Sequence, residues 1–141
     1  MTAKTDCIFC GIAAGRIPSL KVYENSQVLA FLDIGPISDG HTLVIPRAHF
    51  DRLDQCPAEL LAETAKVLGV LGGPVARAVG ADGYNVLCNN GAAAGQVVEH
   101  VHFHIIPRKS GDGVFNRWPA YKYPDGKAAA IAEKILQNLK L

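Results

Sequence analysis

Net charge is nearly absent from this sequence: 14 Lys and Arg stand against 13 Asp and Glu, leaving +1 over 141 residues. So even a balance supplies no long-range field able to hold a nucleic-acid backbone through counterion release. Nucleic acid is therefore not an expected partner, and any phosphate ligand must be gripped locally. Long apolar runs are missing too, because Gly, Pro, Asp and Arg interrupt every candidate before the roughly 18 to 20 residues needed to cross a bilayer. Neither a membrane span nor a membrane partner is expected. Met1 to Asp6 is polar and leads straight into Cys7 without the apolar core of a secretory leader, so the expected location is the cytoplasm. The chain also lacks internal repeats, low-complexity tracts and any Pro- or Gly-rich linker. One domain over residues 1–141 is expected, since a chain of this length can bury a full core without dividing.

Cysteines are few. Four could form two disulfides, but in a reducing compartment metal binding or plain burial is the better reading. Cys56 and Cys88 stand alone in sequence and read as small core fillers. Cys7 and Cys10 form a C-x-x-C pair, which by itself leaves a tetrahedral ion half coordinated and requires two more ligands.

Short runs rich in β-formers at Lys21–Glu24 and Val28–Asp33, joined by Asn25-Ser26-Gln27, predict a hairpin. After the Gly35–Gly40 turn, His41–Ile45 predicts a third strand, stopped by Pro46. Pro57 suits a first helical turn. Leu60, Leu61, Val67, Leu68, Leu71, Val75 and Val79 then follow at helical spacing, with a kink or break expected at Gly72-Gly73-Pro74. Gly83–Cys88 predicts a fourth strand, Val101–Pro107 a fifth that begins near Glu99 or His100, and Lys127–Leu139 a closing amphipathic helix. Strands in succession with short turns favour an α+β fold, an antiparallel five-stranded sheet with its helices gathered on one side.

Function is most legible in His100-Val101-His102-Phe103-His104-Ile105-Ile106. In an extended strand alternate side chains share a face. Three imidazoles would then line one side while Val101, Phe103 and Ile105 bury on the other. A lone strand histidine is usually structural, but a row of three packs poorly and repels itself if protonated, which favours chemistry.

These residues match, position for position, the His-φ-His-φ-His-φ-φ signature (φ apolar) of the histidine triad nucleotide-binding proteins, which the chain resembles over about residues 5 to 108. Gly95-Gln96, Asn89, His41–Pro46, Phe31–Ile34 and Cys7–Cys10 extend the resemblance, while residues 109–141 match less well. The resemblance implies that His102 attacks an α-phosphorus and carries the nucleotidyl group before water releases it. His104 would contact phosphoryl oxygens or protonate the leaving group, and the Gly95 backbone with Gln96 would donate to the same oxygens. Asp33 would accept from ribose hydroxyls. Phe9, Ile12, Ile17, Phe31, Ile34 and Leu43 would form an apolar slot for a purine base, with His41 bonding inside that pocket and Asn89 near the phosphate. The implied ligand is a purine nucleotide or nucleotide conjugate, and the implied assembly a homodimer through the main helix and a central strand.

The same resemblance completes the metal set as Cys7, Cys10, His49 and His100, a closed Cys2His2 site suited to structural zinc. Where many members carry Ser after Gly-Gln, this chain has Val97, removing a hydroxyl from the leaving-group side. The implied activity is a nucleotide hydrolase of phosphoramidase or dinucleoside polyphosphate hydrolase type. Two other classes compete with it. One is a hydrolase using zinc on the triad itself, and the other is a nucleotide-binding regulatory module without turnover.

Overall fold

The structure is a computed structural model that describes residues 3–115 and 117–139. A short helix, α1 (Ile8–Ala13), precedes the hairpin of β1 (Lys21–Glu24) and β2 (Val28–Leu32). β3 (Thr42–Pro46), the long helix α2 (Ala58–Ala78), β4 (Gly83–Leu87), β5 (Phe103–Arg108) and α3 (Lys127–Asn138) follow. Every strand pair is antiparallel, and the order across the sheet is β1-β2-β3-β5-β4. The α+β, five-stranded expectation is met.

Alternation divides the central strands between two cores. Val28, Ala30, Val44 and Ile105 point to one face and pack under Val67 and Leu71 of α2. Leu29, Phe31, Leu43 and Ile45 point to the other, where Phe9 and Ile12 of α1 cover them. The helices are therefore not gathered on one side. At six residues α1 is too short for a legible helical period, and a turn of this length owes its stability to docking rather than to propensity. Arg47 fastens it: Nη1 donates to Ala13 O at 3.0 Å while Nε donates to Asn25 O at 2.8 Å, joining the end of α1 to the hairpin turn.

α2 runs unbroken through Pro74, so of the kink or break expected there the break does not occur. Proline deprives the Val70 carbonyl of its usual donor, but Val70 lies on the exposed face, where water can replace that donor. Val67, Leu71 and Ala76 stay buried on either side of the proline. α3 forms where its pattern predicts, yet none of its residues is buried; Ile135 and Leu136 of its apolar stripe are exposed. No helix among the described residues is long and apolar enough to cross a membrane. All four cysteines are free thiols, and Cys56 sits in a small core with Leu60 and Val101.

The turn between β2 and β3 is tightly braced. Ser38 Oγ donates to Pro107 O at 2.8 Å, Thr42 Oγ1 donates to Gly40 O at 2.8 Å, and Gly40 adopts φ +84°. A Cβ at Gly40 would lie 3.0 Å from Val79 Cγ1 and 3.2 Å from Pro107 Cγ. Gly40→Ala combines a left-handed backbone with a steric intrusion, and is expected to lower unfolding free energy by about 1–3 kcal/mol. Urea titration monitored by circular dichroism checks this.

Candidate active site

The β5 ladder begins only at Phe103, so His100 and His102 lie in the extended segment ahead of the strand rather than in it. The reason is local: His100 N–H turns back to Val98 O at 2.9 Å, and Val101 N–H donates to Phe50 O at 2.7 Å instead of to a neighbouring strand. The facing expected from period two nonetheless holds. Val101 and Ile105 bury on the α2 side, while His104 pairs across from Leu43 on the α1 side. Phe9 of α1 packs edge-on against both His100 and His102, at 5.9 and 5.0 Å between ring centroids.

His102 Nδ1 donates to His100 O at 2.7 Å. A neutral imidazole carries one proton, so this bond leaves Nε2 with a free lone pair. Burial pushes the His102 pKa below the ordinary imidazole value, against a smaller opposing pull from its bond to the His100 carbonyl. A neutral ring with a bare nitrogen has the requirements of a nucleophile near pH 7. His104 stands beside it, 5.1 Å between centroids, and is held at a pKa of about 4, first by burial and then by the neighbouring His102 and His41.

Asp33, His41 and His104 bring their side-chain ligand atoms within 4.8 Å of one another. His41 is almost fully buried and bonds to His104 at 2.8 Å rather than lining a base pocket. Asp33 Oδ1 accepts from Gly35 N–H at 2.8 Å. The same aspartate lines a cleft of about 380 Å³ with Ile12, Pro18, Ser19, Leu20, Phe31 and Ile34, a volume in the range of small-ligand pockets. Ile34 is 96% exposed at its rim, an arrangement suited to covering a flat ligand. Of the residues assigned to the slot, Phe31, Ile12 and Ile34 line it; Phe9 and Leu43 belong to the core behind it, and Ile17 folds over Gly11, where it leaves no room for a Cβ. Pro18, Ser19 and Leu20 were not singled out in sequence, since a coil following a short helix carries no period to mark it.

Gln96 is placed differently from expectation. Its Nε2 donates to Asp51 O at 2.6 Å and to Val98 O at 3.1 Å, its Oε1 accepts from Gly91 N–H, and its own N–H goes to Gly91 O. With every donor engaged, it braces the Gly91–Gln96 turn and has none to offer a phosphoryl oxygen in this conformation. Asn89 does lie beside Gly95, its Nδ2 3.6 Å from where a Cβ on that glycine would stand. Val97 is exposed on the outer rim of the same turn.

The four expected metal ligands converge. Cys10 Sγ lies 3.3 Å from His49 Nδ1 and 3.5 Å from His100 Nδ1, Cys7 Sγ lies 3.5 Å from His100 Nδ1, and the two Nδ1 atoms are 3.2 Å apart. A tetrahedron with metal–sulfur bonds of about 2.3 Å and metal–nitrogen bonds of about 2.0 Å has edges of about 3.3 to 3.8 Å. Proton positions agree with this. His49 Nε2 donates to Asp51 Oδ1 and His100 Nε2 to Pro46 O, both at 2.8 Å, so two bare Nδ1 atoms face two sulfurs. Unprotonated donors turned inward together, each held by an outer partner, suit a cation. Asp51, two residues past His49, went unmarked in sequence, although a carboxylate close to a ligand histidine is its usual outer partner.

The depressed histidines make stability depend on pH in a defined direction. His104 titrates near 6.5 when unfolded and about 4 when folded, so the unfolded chain takes up the proton first as pH falls. This contribution is complete above about pH 6.5 and is lost between 6.5 and 4; His41, also lowered by burial, acts in the same sense. Urea midpoints are expected to be level from pH 8 to 7 and to decline below 6.5, with a smaller decline in His104→Asn.

Comparison with known proteins agrees with this geometry. The chain is 54% identical over 138 residues to an uncharacterized HIT-like protein of Methanocaldococcus jannaschii, covering 95% of this chain and 98% of that one. It is 42% identical over 135 residues to an adenosine 5'-monophosphoramidase of Schizosaccharomyces pombe, covering 95% and 98%. Among solved structures, a zinc-bound histidine triad family protein of Mycobacterium smegmatis superposes with a TM-score of 0.74 at 36% identity, over 94% of this chain and 98% of that one. The sequence pattern of the HIT domain matches residues 14–111, well over half of the chain, and the protein belongs to the HIT family.

Proposed function

We propose that this protein is a nucleotide hydrolase that cleaves at the α-phosphate through a covalent nucleotidyl-His102 intermediate, acting on purine nucleoside phosphoramidates. The observation that carries the reading is the 2.7 Å bond from His102 Nδ1 to the His100 carbonyl, which frees Nε2 on a buried, neutral ring. In the first step the Nε2 lone pair forms a bond to phosphorus, the phosphorus–nitrogen bond of the substrate breaks, and the departing amine takes its proton from water, while the neutral His104 ring donates a hydrogen bond to a phosphoryl oxygen. In the second, water attacks the same phosphorus and releases a proton to solvent, and the phosphorus–His102 bond breaks, restoring the Nε2 lone pair. Asp33 at the cleft wall takes the ribose hydroxyls, with the base lying between Ile34 and Phe31. The phosphoramidase named among the relatives supports this substrate class.

The Cys7, Cys10, His49 and His100 set holds zinc as a structural ion, which when bound supplies cohesion between the N-terminal segment and the triad. The rival in which zinc sits on the nucleophile is disfavoured, because His102 belongs to neither of the donor clusters found among the described residues. Acid-labile adenylyl-protein, quenched during turnover of adenosine 5'-phosphoramidate, should appear in the unmodified chain and be absent in His102→Ala, with turnover down by about 10⁴-fold or more. The variant should retain one zinc per chain by metal analysis. Loss of zinc from His102→Ala would favour the metal-centred hydrolase. Absence of product from phosphoramidates and dinucleoside polyphosphates alike would favour a binding module.

The free edge of the sheet supports a homodimer. Among the described residues β4 has no partner on its outer side, and Tyr84 and Val86 are exposed on it beside a groove of about 550 Å³ that Phe115 and Trp118 line. An open strand edge carrying exposed apolar side chains is a ready template for pairing with another strand. Sedimentation at micromolar concentration should give twice the chain mass, and Val86→Lys should shift it to monomer.

A further inference from the structure

Neutral imidazole has two tautomers, and which one His104 adopts decides which of its nitrogens can donate a hydrogen bond to a bound phosphate. Nothing in the triad sequence fixes that choice. The surrounding bonds do, and they start outside the triad, in the turn between β2 and β3. Ile37 N–H donates to His41 Nδ1 at 3.2 Å. A backbone amide has only a proton to offer, so His41 Nδ1 must be the unprotonated nitrogen, and the proton of neutral His41 sits on Nε2. That Nε2 lies 2.8 Å from His104 Nδ1. Two ring nitrogens at this distance need one proton between them, which His41 supplies. His104 Nδ1 is then the acceptor, and its own proton is forced onto Nε2.

We infer that His41 is a positioning residue whose hydrogen bond, oriented by the Ile37 amide, locks His104 in the Nε2–H form required of a donor to the reacting phosphate. This rests on the nucleotide hydrolase reading above and adds to it the source of the proton's placement. A second observation supports it: His104 Nε2 is buried and has no hydrogen-bond partner among the described residues. A buried N–H without an acceptor is costly and is seldom kept without a use, and a phosphoryl oxygen or leaving-group atom would satisfy it.

The surroundings keep the relay neutral. Burial is the first cause lowering both His41 and His104, and the charged or titratable groups facing them are Asp33, His102 and each other. Asp33 Oδ2 is 3.6 Å from His41 Nε2, too far to take the proton from the shorter bond to His104. The turn holding Ile37 is itself tied to β5, the strand that carries His104, through Ser38 Oγ and Pro107 O at 2.8 Å. Donor, relay and acceptor thus share one braced frame.

The test compares His41→Leu, which fills space without donating, with His41→Gln, whose terminal amide can still donate to His104 Nδ1. In the unmodified chain, ¹⁵N spectra of selectively labelled histidine should show His104 protonated at Nε2 at pH 7. In His41→Leu the resonance should move toward the other tautomer, and kcat for adenosine 5'-phosphoramidate should fall about 10²-fold with KM nearly unchanged, as befits the loss of one hydrogen-bond donor to the transition state. His41→Gln should restore both the Nε2–H signature and most of kcat. An Nδ1–H tautomer at His104 in the unmodified chain, or a folded His41→Leu with unaltered kcat, would overturn the inference. Failure of the covalent mechanism would show separately, as no quenchable adenylyl-protein in a chain whose His104 tautomer is as stated.

Discussion

A single carbonyl, that of His100, sets the chemistry of the whole site. It accepts from His102 Nδ1 at 2.7 Å and so decides which nitrogen of the neighbouring ring is free to attack. A net stabilisation of about 1 kcal/mol already favours one tautomer about fivefold, and exclusion of water enlarges that margin. The carbonyl can do this only if its own residue does not move. His100 is wholly buried, its Nε2 is bound to Pro46 O, its Nδ1 sits in the Cys–His cluster, and the backbone on both sides is bonded to Val98 and Phe50. One residue therefore offers its ring to the metal cluster and its main chain to the nucleophile.

The rest of the fold distributes labour between the two faces of the sheet. Under α2 the packing is apolar and continuous, and it carries no titratable group into the site. On the other face α1 covers only part of the sheet and leaves the cleft between Ile12, Phe31 and Ile34 open. Phe9 is the pivot of that arrangement. It packs on Phe31 at 5.6 Å and on His102 at 5.0 Å, so the apolar slot and the nucleophile share one wall. Aromatic pairs of this edge-on type contribute about 0.5–1.5 kcal/mol beyond their burial, enough to hold a ring in one orientation.

Much of this was legible in the sequence, and the gaps have physical causes. All five strands and both longer helices leave periodic or turn signals, and each appears within a residue or two of its expected bounds except the start of β5, which lies at Phe103 rather than near Glu99 or His100. The alternate facing of His100, His102 and His104 also holds, although the ladder starts later than the apolar pattern suggests, because strand limits depend on partners that sequence alone does not display. α1 escaped notice since six residues make too little period. Proline at 74 read as a breaker because local rules ignore which face looks toward water. Gln96 suggested a donor to substrate, whereas in the fold its amide is consumed by the backbone of its own turn. The gathering of Cys7, Cys10, His49 and His100 came from resemblance; the pair C-x-x-C could not have named its distant partners. The link from Ile37 through His41 to His104 has no sequence signature, since it depends on which nitrogen meets which hydrogen in space.

Asp51 belongs to two neighbourhoods at once. Its carboxylate holds His49 through Nε2, and its carbonyl receives the amide of Gln96 that shapes the Gly91–Gln96 turn. The segment carrying Cys7 and Cys10 and the turn carrying Gly95 are far apart along the chain, yet neither can open without disturbing this residue. The two are therefore expected to open together, with amide protons in the turn sharing the exchange lifetime of the Cys7–Cys10 segment rather than that of the adjoining strands.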